Sequence, residues 1–375
     1  MNILLVPDKF KGSLTAAEVI QAVQEGLRET VPSAITFPVL ASDGGEGFLD
    51  VVSHYINTSR IVCRTVDSLC RTLQAPYLFH ETTKTAYIEL AKASGLELLA
   101  PKERCVTETS TYGTGIQIRH ALQNGAKRIY LGLGGSATND AGTGIAAALG
   151  YTFYSVAGPI PVPAGKHLAG IIDLDRSIVK TIGEAAFFAV NDVQNPLFGS
   201  NGAAYTYGRQ KGADDEQLKQ LDTGLRNISA LVEKKLHKNA AALPGSGAAG
   251  GAAYGLSVFL DSGFKSGAEF ILGLTDFFEI IRTRNIDCII TGEGKIDEQT
   301  KNGKLIKGVT TVAARYGIPV LAVCGRLDLD KKGIAELGLK AAVEIRDPDR
   351  SDAYSFKNAA ALIKDSIVTL IKDVV

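Results

Sequence analysis

The chain opens on NILLVP (Asn2–Pro7), an apolar run without polar alternation, which predicts a strand buried on both faces. A polar loop, DKFKGS, follows. Thr15 and Glu18 then stand in the T-x-x-E spacing of a capping box, and an amphipathic helix is expected to run to about Arg28. Ala34–Leu40 reads as a second strand. It ends in Ser42-Asp43-Gly44-Gly45-Glu46-Gly47, and a helical stretch continues to about Tyr55. Strand, helix, strand, helix in under sixty residues begins an open parallel sheet. The rhythm changes over Arg60–Leu90, where short β-branched and aromatic runs alternate with polar turns, the pattern of antiparallel strands. Lys127–Gly135 and Phe187–Val190 read as further buried strands, and Asp215–Leu236 as an amphipathic helix. The parallel rhythm returns with strands at Ile286–Thr291, Val320–Cys324 and Ala341–Ile345. This order predicts one α/β domain built from both chain ends, residues 1–60 and 285–375, with a mixed α/β domain inserted over 61–284.

In open parallel sheets, ligands bind beyond the carboxyl ends of the strands. Here those ends carry polar or glycine-bearing tips: Asp8-Lys9-Phe10-Lys11, Asp43-Gly44-Gly45-Glu46, Gly134-Gly135-Ser136, Asn191-Asp192, and Gly292-Glu293-Gly294 with Asp297. Lys9 and Lys11, just ahead of a capped helix, suit a carboxylate or phosphate. Gly134 and Gly135, followed by Ser136, Thr138, Asn139 and Asp140 at an expected helix start, suit an anion cradle. Asp140, Asp192, Glu293 and Asp297 supply carboxylates close to these loops. A Mg²⁺ ion carried with phosphates needs only one or two of them.

Composition narrows the picture. Forty Lys+Arg balance forty Asp+Glu, so the chain lacks the excess positive charge of a nucleic-acid binder. Glycine is enriched, at 40 of 375 residues. The five cysteines are widely spaced with no C-x-x-C, which argues against a disulfide framework or a zinc site and for buried thiols in a reducing cytoplasm. Asp8 and Lys9 come too early for a signal peptide's apolar core. The two long uncharged stretches are broken by prolines, so no membrane span is expected. There is no Walker A loop and no G-x-S-x-G elbow. A literal G-x-G-x-x-G occurs at Gly245, Gly247 and Gly250, but it follows helix-like sequence rather than a strand, so it lacks the context of a dinucleotide site.

Seven segments taken together resemble the bacterial type I glycerate kinase family: Pro7–Ser13 (PDKFKGS), Asp43–Gly47 (DGGEG), Gly134–Gly142 (GGSATNDAG), Asp192–Leu197 (DVQNPL), Gln210–Ala213 (QKGA), Gly247–Gly251 (GAAGG) and Thr291–Thr300 (TGEGKIDEQT). They occur in register, and the match runs from the N-terminus to past residue 325, nearly the whole chain. After Lys304 the chain departs from the family's usual proline, with Leu305-Ile306-Lys307-Gly308 in its place.

The resemblance implies a flavodoxin-like doubly wound parallel sheet domain plus a large inserted mixed α/β domain. It implies ATP-dependent phosphorylation of D-glycerate to phosphoglycerate, with 2-phosphoglycerate favoured over 3-phosphoglycerate and the active site in a cleft between two domains. ATP and Mg²⁺ are the cofactors, D-glycerate is the small-molecule substrate, neither nucleic acid nor membrane is a partner, and a homodimer is compatible with the reading. Lys9, Asp43 and Asp192 are the expected catalytic residues, and Lys11, Ser13 and Glu46 would bind the acid. Gly134, Gly135, Ser136, Thr138 and Asn139 would line the ATP phosphates, Glu293 and Asp297 would close the cleft, and Asp140 and Asp192 would meet Mg²⁺. Two alternatives remain open from the residues. Gly132–Ala137 (GLGGSA) loosely matches the phosphate loop of the galactokinase–homoserine kinase group. A non-catalytic sensor of sugar acids could also keep the fold, although acidic groups at so many glycine-bearing tips argue against a pure anion sensor.

Overall fold

A computed structural model describes residues 1–42, 44–45, 47–176, 182–302 and 304–372, with the side chains of 299 and 302 excepted. The strands, in chain order, are β1 (Asn2–Pro7), β2 (Ile35–Pro38), β3 (Ser59–Val66), β4 (Thr72–His80), β5 (Thr85–Glu89), β6 (Arg128–Gly132), β7 (Tyr151–Ser155), β8 (Gly158–Ile160), β9 (Asp173–Arg176), β10 (Ala186–Val190), β11 (Gly263–Lys265), β12 (Cys288–Ile296), β13 (Val320–Leu327) and β14 (Ala341–Glu344). They form two compact units: residues 1–43 with 266–375, and residues 44–265.

The first unit holds a five-stranded sheet in the order β14-β13-β12-β1-β2, parallel throughout. Counted along this unit alone, the order is 2-1-3-4-5, the flavodoxin-like arrangement, whose ligand crevice lies where the first and third strands part. Ile3, Leu5, Cys288, Ile290, Leu321 and Val323 are buried in its core with Val19, Val23 and Leu27 of the helix Ala16–Thr30. That helix starts as its sequence dictates: the Thr15 hydroxyl accepts from the Glu18 N–H at 3.3 Å, and the Glu18 carboxylate accepts from the Thr15 N–H at 2.8 Å. One strand is longer than its pattern. β12 does not end at Thr291 but runs through Gly292-Glu293-Gly294 to Ile296, because β13 continues beside it and pairs Glu293 with Cys324 and Lys295 with Arg326.

The second unit is built on a six-stranded sheet, β11-β10-β6-β5-β4-β3. Strands β5, β6, β10 and β11 are parallel, and β3 and β4 add an antiparallel edge over the segment whose short alternating runs predicted it. A three-stranded antiparallel sheet, β8-β7-β9, is separate. The helix Asp215–Leu236 has the bounds its periodicity predicts, capped by Asp214, which accepts from the Gln217 N–H at 2.8 Å.

The breaks fall at 43/44 and 265/266, not at 60/61 and 284/285. Two packing choices move them. The helix Phe48–Tyr55 belongs with β5 of the second unit, where the Leu49 N–H meets the buried Glu89 carboxylate at 3.3 Å and Phe48 lies against Tyr87. The helix Gly267–Leu274 belongs with the first unit, where Ala268 packs closely on Gly308 of the helix Leu305–Arg315. Among the cysteines, Cys63, Cys288 and Cys324 are buried as expected, but Cys70 is exposed and Cys105 half-buried.

Candidate functional site

The seven sequence segments do not converge on one place within a unit. Two lie in the first unit and four in the second. Asp43 and Glu46 of the remaining one, expected to be catalytic and acid-binding, lie outside the described residues.

In the first unit, β1 and β12 are neighbours, with Pro7 paired to Gly292, so their loops leave the sheet side by side. The Asp8 N–H donates to the Gly292 carbonyl at 2.8 Å, and the Asp8 carboxylate accepts from the Lys9 N–H at 2.7 Å. Beyond them opens a cavity of about 230 Å³, lined by Phe10, Lys11, Ser13, Arg326, Arg346 and Phe356 among others. Lys11 and Ser13 are therefore together on one crevice, at the strand ends where doubly wound sheets bind ligands. The Ser13 hydroxyl donates to the Phe356 carbonyl at 2.7 Å, which leaves its lone pairs but not its proton for a ligand. Glu293 is buried and accepts from the Thr300 hydroxyl, with the Lys304 ammonium 3.8 Å away. Asp297 pairs with Lys295 at 3.0 Å, and Lys295 pairs equally with Asp328. Those two carboxylates thus hold local structure in the turn after β12.

The second unit gathers more. β6 and β10 are parallel neighbours with Gly132 opposite Val190, so Gly134 and Asp192 each sit two residues past the ends of adjacent strands. Asp192 is buried at 8% exposure. From β6 the chain passes through Gly134, Gly135 and Ser136 into Thr138-Asn139-Asp140, every one of the last three fully buried. The turn Gly247–Gly251 lies against it. Ala249, Gly250 and Gly251 have φ of 53°, 66° and 84°, three left-handed residues in succession. The Gly250 carbonyl accepts from the Ala141 N–H at 3.0 Å, and a Cβ on Gly250 would stand 2.0 Å from the Thr138 carbonyl oxygen. Only glycine fits there. The same turn reaches Asn195-Pro196, where the Gly247 N–H donates to the Asn195 carbonyl at 2.9 Å. The G-x-G-x-x-G match is thus a packing turn that follows a helix, and it touches both the 134–142 and the 192–197 segments.

Asp140 departs from its expected magnesium role. One carboxylate oxygen accepts from the Thr111 N–H at 2.7 Å, the Thr111 hydroxyl at 2.8 Å and the Gly144 N–H at 3.2 Å. The other accepts from the Gly142 N–H at 3.0 Å. With both oxygens occupied and no exposure, it anchors the loop to the start of the helix Tyr112–Gln123. Burial raises its pKa, and the donors around it act the other way.

The residue that sequence reasoning passed over is Lys211. It lies in the QKGA segment, 3% exposed. Its ammonium donates to the Ser136 hydroxyl at 2.7 Å and to the Thr138 carbonyl at 2.8 Å. Desolvation lowers its pKa to about 7, with the Asp140 carboxylate acting in the opposite sense. Close by, the Thr138 hydroxyl and both polar atoms of the Asn139 side chain are buried without a hydrogen-bond partner. Native interiors leave few such groups unpaired. The donor set here is hydroxyl, side-chain amide and backbone amide, which is what phosphate oxygens accept from, with a buried ammonium behind them. Among the described residues, no group of three or more His, Cys, Asp or Glu could hold a metal ion.

The described residues thus form an α/β protein of two units, one a flavodoxin-like parallel sheet and the other carrying an amide- and hydroxyl-rich loop at a strand end. The model of the glycerate kinase family matches residues 3–374. The chain is 39% identical to a glycerate kinase of Halalkalibacterium halodurans, over 92% of this chain and 90% of that protein. It is 36% identical to the glycerate 2-kinase of Escherichia coli K12, with the same coverage. Among solved structures it is similar to a glycerate kinase 2 from Salmonella typhimurium LT2, with a TM-score of 0.76, 33% identity and coverage of 98% and 96%. The chain belongs to the glycerate kinase family, and it is a phosphotransferase. No described helix is long and apolar enough to cross a membrane.

Proposed function

We propose that the protein transfers the terminal phosphoryl group of ATP to D-glycerate, giving 2-phosphoglycerate in preference to 3-phosphoglycerate. The observation that carries the nucleotide half is the loop at residues 134–140, where half-buried Gly134 and Gly135 lead into buried hydroxyl and amide groups beside a buried lysine. In this reading Gly134, Gly135, Ser136, Thr138 and Asn139 hold phosphate oxygens. Lys9 and Lys11 hold the acid's carboxylate, and Ser13, its proton donated to Phe356, accepts from a hydroxyl of the acid, with Glu293 and Asp297 ordering the turn beside them and Asp43 and Glu46 completing the acid site. Asp192 accepts the proton of the acceptor hydroxyl as its oxygen bonds to phosphorus and the bond to ADP breaks. Mg²⁺ would supply charge neutralisation at the phosphates, held by phosphate oxygens and water, with the Asp192 oxygen that does not take the proton as its protein ligand, since Asp140 is spent on its four donors. The preference for the 2-hydroxyl is supported by the name of the Escherichia coli relative.

The test is ADP release by the purified enzyme with D-glycerate and a panel of other hydroxy acids, followed by phosphorus NMR of the product. Turnover with D-glycerate and a resonance for 2-phosphoglycerate are expected. Turnover only with another acid, or a 3-phosphoglycerate product, would overturn the corresponding part.

A further inference from the structure

Lys211 is an expensive residue to keep inside a protein. A desolvated ammonium normally finds a carboxylate. Here its two hydrogen bonds go to neutral acceptors, the Ser136 hydroxyl and the Thr138 carbonyl. The charged group whose field reaches it is Asp140, whose oxygens are already taken by Thr111, Gly142 and Gly144. An ammonium has three donors, and these two bonds use two of them.

Both acceptors belong to the loop assigned above to the nucleotide phosphates. On one side, the 209–211 turn presents Lys211 and ends in Gly212 at φ 95°. On the other, the Gly247–Gly251 turn closes on Thr138 and Ala141. The loop is held from both sides, and only the lysine side carries charge.

We infer that Lys211 is a positioning residue for phosphoryl transfer, bracing the 134–140 loop through Ser136 and Thr138 and placing a positive charge beneath the site of the nucleotide phosphates. The inference rests on the assignment of that loop to ATP. It acts through the loop: the ammonium itself is buried, so the nucleotide feels its charge and the geometry it imposes. An arriving polyphosphate favours the protonated form, which desolvation disfavours.

The experiment compares wild type with Lys211→Met, which keeps the side chain's length without charge, and with Lys211→Arg, each checked for folding by circular dichroism and thermal melting. Lys211→Gln is the companion variant if Lys211→Met does not fold, since it removes the charge and keeps a donor at that position. KM is measured for ATP and for D-glycerate from pH 6 to 9. The expected result is a rise of at least roughly tenfold in KM for ATP in Lys211→Met, with KM for glycerate within about twofold and Lys211→Arg closer to wild type. Lys211→Gln should raise KM for ATP by a smaller factor. ATP's own titration appears in every variant. The additional weakening of wild-type ATP binding as pH rises past neutrality should vanish in Lys211→Met. Equal changes in both KM values, an unchanged KM for ATP, or identical pH profiles in wild type and Lys211→Met would overturn the inference. Failure of wild type to use glycerate would instead overturn the functional reading.

Discussion

The two units place polar groups at their strand ends in opposite ways. In the first, the cations lie open. Lys11 is exposed, and Lys295 and Arg326 are about half-exposed while sharing Asp328. In the second, Thr138, Asn139, Asp140 and Lys211 are enclosed, and a glycine turn lies over their backbone. Solvated charges can be gained or lost at small cost. Enclosed ones hold their geometry rigidly, and each unpaired group carries a standing penalty that a ligand can relieve. A crevice of the first kind suits a small acid that enters and leaves with its water. One of the second kind suits the fixed, pre-oriented donors that phosphoryl transfer needs.

The largest effect that would sharpen this contrast is on Asp192 at the end of β10. Asp192→Asn should lower kcat by roughly a hundredfold or more, the usual contribution of a general base, with the fold intact. Steady-state turnover with glycerate measures it, and near wild-type turnover would remove Asp192 from the reaction. Next comes a matched pair of glycines. Gly250→Ala puts a methyl into the Thr138 carbonyl at a φ of +66° and should destabilise the protein by at least about 2 kcal/mol in urea unfolding. Gly12→Ala, also at positive φ but with the Phe356 ring 3.5 Å away, should cost about 1 kcal/mol. Equal costs would mean the second unit's site is no tighter than the first's.

A further effect is the pH dependence of stability. Lys211 holds its proton less well folded than unfolded, where the ordinary value is 10.5 against about 7 in the folded chain. The unfolded chain therefore binds more protons in that window, and this group's contribution to stability rises with pH from about 7 towards 10.5. The melting temperature of the ligand-free wild type should gain on that of Lys211→Met as pH is raised across this range. A constant difference would mean that the ammonium is not desolvated.

Much of this was legible in the chain. Local rules fix local features: the Thr15–Glu18 capping box, the bounds of the Asp215–Leu236 helix and the apolar run of β1 all follow from spacing alone. Pairing partners do not. β12 continues past Thr291 because β13 lies beside it, and the unit breaks shift because the helices at Phe48–Tyr55 and Gly267–Leu274 choose their neighbours by long-range packing. The site divides similarly. Strand ends marked Gly134–Asp140 and Asp192 as chemistry, but burial separates roles among them, and it turned Asp140 from an expected metal ligand into a loop anchor. Lys211 was invisible for the same reason: lysines are mostly solvated, and nothing in QKGA says that this one is enclosed. Its signal was indirect, a lysine set directly before Gly212 in a segment shared with the family.

The division of labour is the central claim, and one crossed measurement tests it: KM for ATP and for D-glycerate in Lys11→Met and Lys211→Met, side by side with wild type. The account predicts that Lys11→Met raises KM for glycerate alone and Lys211→Met raises KM for ATP alone. Both variants raising the same KM, or the two effects exchanged, would contradict it.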